Sequence, residues 1–265
     1  MDALIRLKDR KKTFRKIRDI EHGKDHSLIV HYSCESFFDR QDGSTPRVTS
    51  IAVRNLGTGQ TESFSIHKIA ELKKVSVEQI TNHYDQLEKE MLDEFGDFLQ
   101  SNSHCTWLHW NMRDINYGFQ ALEHRHKVLG GQPPSRLPEE RKFDLARALI
   151  SIYGVGYAGH PRLESIVKIN KITSIGFLVG KDEAAAFENG EYVKLHQSTL
   201  RKVDILANLF GRIVDGSLRT NATWWEARGL TPAAIAELIT EHWGWVLFGI
   251  IASIASILGL ILVLV

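Results

Sequence analysis

From Ser27 the chain alternates. Leu28, Val30, Tyr32 and Cys34 fall on one side and Ile29, His31, Ser33 and Glu35 on the other, the period of two that predicts a strand. After a polar loop, RVTSIAVRNLGTGQTESFSI predicts two more strands joined by a Gly-containing turn over residues 56–60, so three strands form a meander. At Ser76-Val-Glu-Gln79 the pattern becomes a capping box, and Ile80, Tyr84, Leu87, Met91, Phe95 and Phe98 recur at helical spacing to Gln100. CTWLHW predicts a short strand at 105–110, and INYGFQALEHRHKVL a helix that stops at Gly130-Gly131. Further helices are predicted over 141–153, 163–170 and 198–215. Strands followed by alternating helices and strands predict an α/β fold, a mixed sheet with helices on its faces.

The C-terminal pattern is different. Residues 243–265, WGWVLFGIIASIASILGLILVLV, carry no charged side chain, and a helix of that length rises roughly 35 Å, enough to cross a hydrocarbon core of about 30 Å. Trp243 and Trp245 stand where indole rings favour the headgroup region. The expectation is one C-terminal transmembrane helix facing the lipid bilayer, with the body in the cytoplasm because every Lys and Arg precedes it. Small residues four apart (Gly249 and Ser253, Ala252 and Ser256, Ala255 and Gly259) would allow a homo-oligomer through that helix.

Composition adds little beyond this, because the formal net charge is only +1. Its distribution is uneven: residues 1–18 hold eight Lys or Arg against two Asp, without the apolar core of a secretory signal. Four segments follow: a basic arm over 1–26, a folded domain over 27–215, a connector with a juxtamembrane helix over 216–242, and the apolar tail. The arm is open to three uses, a helix on anionic lipid, a nucleic-acid contact or a solvated helix. Cys34 and Cys105 read as reduced core residues, and two cysteines without ligand spacing make no metal site. His104, His109, His124 and His126 are near in sequence without sharing a face. Lys194, Arg201 and Lys202 on the last predicted helix offer contacts to phosphate.

The order of elements, with Ser33-Cys34-Glu35-Ser36 on the first strand, HWNMRDINYGF after the fourth, Phe143-Asp144-Leu145-Ala146 and STLRKVDILANLF, resembles the ribonuclease H-like fold and its Asp-Glu-Asp-Asp 3′–5′ exonucleases. The resemblance implies family positions at Ser33, Glu35, Asn116 and Asp204, two of them no longer acidic, with Thr199 where one subfamily has its catalytic His. Asp114, Asp144 and His196 are the residues that would compensate.

In that family, four carboxylates hold two divalent cations, Mg²⁺ or Mn²⁺, for phosphodiester cleavage. With Ser33 and Asn116 neutral, Glu35 and Asp204 remain as metal ligands, and two tightly held ions are not expected. Three readings follow: a degenerate domain that binds nucleic acid, a nucleotide or a protein partner; an active nuclease with a rebuilt site; and a non-catalytic membrane scaffold.

Overall fold

The computed structural model describes residues 3–35, 45–113, 116–228, 244 and 246–253. Five strands form one mixed sheet in the order β3-β2-β1-β4-β5: β1 Ser27–Cys34, β2 Val48–Asn55, β3 Thr61–Ser65, β4 Thr106–His109 and β5 Lys142–Asp144. β1 to β3 are antiparallel neighbours, whereas β4 and β5 run parallel to β1. Parallel neighbours need a crossover. The one between β3 and β4 is made by α2 (Ile66–Leu72), a 3₁₀ turn (Val77–His83) and α3 (Tyr84–Ser101); the one between β4 and β5 uses α4 (Phe119–Val128).

The central strand is buried along its whole length, and its alternation sorts two cores. Leu28, Val30, Tyr32 and Cys34 join Met91, Leu92, Phe95 and Trp107 in one cluster. Edge-on contacts of Phe95, Phe98 and Phe119 with the Trp107 ring lock it. On the other side Ile29, Ala52 and Leu108 meet α5 (Leu145–Tyr153), α6 (Arg162–Ile169) and α8 (Tyr192–Val214). α1 (Ala3–His22) also contributes Ile17 and Ile20 there, so part of the basic arm lies inside the fold. Its cationic side chains reach a short α9 (Trp224–Arg228): Arg6 donates to the carbonyl of Glu226 and Arg10 to that of Ala227.

Several expectations change. Residues 142–144 form a fifth strand rather than the first turn of a helix, because Asp144 caps α5 by accepting the amides of Ala146 and Arg147. The helix expected from Ser76 begins as a 3₁₀ turn without a side-chain cap and becomes α-helical at Tyr84. α7 (Gly180–Glu188) fills a stretch where no element was expected. The α/β class, with a mixed sheet flanked by helices, is observed.

The membrane-spanning helix is corrected. Residues 246–253 are helical. Among the described residues no helix is long and apolar enough to cross a membrane. The remainder of 243–265, Trp243 and Trp245 included, lies outside the described residues.

Candidate functional site

Toward the carboxyl end of β1, the face turned to α8 becomes polar: Ile29 is followed by His31 and Ser33, and Ser33 pairs across the sheet with Ser50 of β2. These hydroxyls meet helix residues directly. Thr199 Oγ1 donates to Ser33 Oγ at 2.9 Å and lies 2.7 Å from Ser50 Oγ. Ser33 donates in turn to Glu183 Oε1 at 2.7 Å, where Ser198 also donates at 3.3 Å.

The carboxylate of Glu183 is 1% exposed and would be costly to bury alone. The ammonium of Lys202 lies 2.7 Å from the same Oε1 and over the Phe177 ring. Three serines, a threonine and an internal ion pair thus meet at this end of the strand. Glu183 Oε2 and His31 Nε2 keep no hydrogen-bond partner among the described residues. Burial and the nearby Lys202 charge hold the His31 imidazole well below its ordinary pKa.

The sequence-predicted site residues do not assemble into one centre. Glu35 follows β1, and its carboxylate accepts the Arg47 amide. Asp204 pairs instead with Arg54 at 3.1 Å, and Arg54 stands opposite Ile29, six residues before Glu35, about 20 Å of strand away. Helix geometry agrees. Five residues separate Thr199, which touches Ser33, from Asp204, and at about 100° per residue Asp204 points about 140° round the axis. Asn116 comes just before Tyr117, whose hydroxyl donates to the carbonyl of Tyr32 at 3.1 Å, so it is near the end of β1. Asp114 lies outside the described residues.

Asp144 serves local structure, capping α5, accepting the Asn111 amide at 3.1 Å and pairing with Arg113 at 2.6 Å. His196 faces His67, with ring centroids 4.9 Å apart. Burial, then the charges of His67 and Lys68, lowers its pKa to about 4. These placements do not fit a pair of divalent cations, which need bridging ligands around metals about 4 Å apart.

Outside, α8 presents a second feature. Arg54, Lys171, Arg201 and Arg212 line an open groove of about 410 Å³ with Thr173, Asn208 and a single carboxylate, Asp204. Arg201 is held there by hydrogen bonds to the Thr173 carbonyl, and Arg212 by one to Asn208 Oδ1. Arg54 belongs here because it lies two residues beyond Ala52 on the same face of β2.

Sequence reasoning missed Glu183 and misplaced Lys202, which it offered to phosphate. One signal was present. Leu195, Thr199, Lys202, Leu206 and Leu209 follow helical spacing, so Lys202 interrupts a buried stripe and requires an internal anion. No comparable signal marks Glu183, which comes from a segment without a clear period.

The resemblance to the four-acid exonucleases with a C-terminal membrane anchor is corrected on three grounds: its acidic positions are dispersed, its first position is a hydroxyl bonded to Glu183, and no described helix spans a membrane. Element order carried more of the likeness than identical residues did, and fold does not carry function. No family model, no curated protein and no solved structure matches the chain.

Proposed function

We propose that the chain is a binding module for single-stranded nucleic acid, taking the phosphate backbone along the basic groove of α8 and leaving it uncleaved. The carrying observation is the grouping of Arg54, Lys171, Arg201 and Arg212 around one carboxylate in an open groove. Arg forks match phosphate oxygens, and the short side chains of Thr173 and Asn208 leave room for them. Two facts support the absence of cleavage: Glu183 is already neutralised by Lys202, and Glu35 and Asp204 are bound to different partners at different ends of β1. In strand order the sheet fits a ribonuclease H-like architecture, an architectural reading that lends no chemistry to the site.

The test is anisotropy of a labelled single-stranded oligonucleotide across a salt series. Four phosphate contacts give a slope of log K against log salt of about −3. The double variant Arg201→Ala/Arg212→Ala should reduce that slope by about 1.4 and weaken binding similarly for unrelated sequences. Binding that is absent at low salt, or indifferent to both substitutions, defeats the reading. Cleavage of the oligonucleotide in Mg²⁺ would defeat its second half.

A further inference from the structure

The start of β1 and the start of β4 are brought side by side by their parallel pairing, Ser27 opposite Thr106. The residues just before them therefore meet as well. His26, His104 and Cys105 point their ligand atoms into one place, all within 4.8 Å of one another. Cys105 Sγ and His104 Nε2 are 3.5 Å apart, and the His26 and His104 rings approach edge-on with centroids 6.0 Å apart.

From this juxtaposition we infer a zinc site that uses His26, His104 and Cys105 as ligands, with water in the fourth position. In a zinc tetrahedron, bonds of about 2.1 Å to nitrogen and 2.3 Å to sulfur set ligand atoms about 3.5 Å apart. Sγ and the His104 nitrogen already have that spacing. His26 is exposed, so its ring is free to turn the small remaining distance. Two imidazoles and a thiolate form a donor set of intermediate softness, which suits Zn²⁺ and not the oxygen-seeking Mg²⁺ or Ca²⁺.

The backbone on both sides is fixed in advance. The His26 amide donates to the Gly23 carbonyl at 3.0 Å and the Cys105 amide to the Asn102 carbonyl at 3.0 Å. Trp107 Nε1 donates to that same Asn102 carbonyl, so the turn carrying His104 is anchored to the core. Coordination converts the Cys105 thiol to a thiolate: the S–H bond breaks, a sulfur–zinc bond forms, and one proton leaves to solvent.

This site shares no residue with the basic groove, and its test does not depend on nucleic-acid binding. Full-length protein is titrated with Zn²⁺ and, in parallel, with Co²⁺, whose absorption reports both thiolate ligation and tetrahedral geometry. The expected result is one ion per chain, a thiolate-to-cobalt charge-transfer band, and displacement of cobalt by zinc. His26→Gln and His104→Gln replace exposed side chains, leave the fold unchanged by circular dichroism, and weaken binding at least about tenfold each. Cys105→Ala removes the band; because Cys105 is buried, the two histidine variants serve as the decisive pair. Binding without a thiolate band, binding indifferent to both histidine variants, or no binding at micromolar metal overturns the inference.

Discussion

One helix presents two electrostatic situations a single turn apart. On the inner side of α8, Lys202 is 5% exposed and meets one carboxylate, Glu183. On the outer side, Arg201 and Asp204 are partly exposed, at 29% and 43% of their side chains, and share the groove with Arg54 and Arg212. The inner pair is mandatory once either member is present, since desolvation makes an unpaired ion prohibitive there. The outer charges are each dispensable, because solvent screens them. The inner site therefore belongs to folding, while the outer site has cations to spare for a ligand.

The largest break in that contrast is Lys202→Met. It leaves the Glu183 carboxylate buried without its counter-ion and should destabilise the fold by about 3–5 kcal/mol, read from the urea midpoint. The double variant Lys202→Met/Glu183→Leu removes both charges and should recover most of that loss, although Ser33 and Ser198 then lose an acceptor. If the double variant is no better than the single, the pair is not the reason that Lys202 is tolerated inside.

A smaller effect comes from His196, which shares the buried side of α8 but has no counter-ion. Its folded pKa is about 4 against an ordinary value of 6.5. The folded state therefore binds fewer protons than the unfolded state in this window, and the linkage sign makes stability fall as pH drops. The stability is complete above about pH 6.5 and is lost progressively toward pH 4, at up to about 1.4 kcal/mol per pH unit from this residue. His109, also lowered to about 4 by burial despite the opposing Asp144 charge, adds a second contribution over the same range. Denaturation of His196→Leu between pH 7 and pH 4 should show a shallower decline than the unsubstituted chain. An identical decline would place the His196 titration outside the folding equilibrium.

How much of this the sequence disclosed depends on which physical rule governed each part. Alternation from Leu28 to Cys34 was legible because the two faces of β1 enter different cores, and the hairpin at 56–60 because its turn chemistry is local. β5 was not, since three residues carry no period and Phe143 and Leu145 suit a helix equally well. The site was less legible than the fold. Acidic residues were sought by motif, yet Asp144 became a helix cap and Asp204 a surface partner of Arg54. The groups that do converge, Ser33 with Glu183 and His26 with Cys105, are separated by 150 and 79 positions, the latter being 105 less 26. The packing of α7 on β1 brings the first couple together, and the pairing of β1 with β4 the second.

The finest test of the inner and outer contrast is Asp204→Asn. Asp204 is the single carboxylate in the groove, and its bond to Arg54 at 3.1 Å joins two partly exposed side chains, 31% for Arg54 and 43% for Asp204. Such a pair contributes about 0–1 kcal/mol, so the substitution should move the urea midpoint by little. Its effect on a polyanion should be the opposite of a loss. Removing one negative charge frees the Arg54 guanidinium for phosphate and should tighten oligonucleotide binding by a few-fold at low salt, a gain that fades as salt screens the groove. Weaker binding would mean that Asp204 orients Arg54 for the ligand rather than competing with it. Destabilisation on the scale of Lys202→Met would mean that folding depends on the outer charges no less than on the inner ones, and the division between the two sides of α8 would no longer hold.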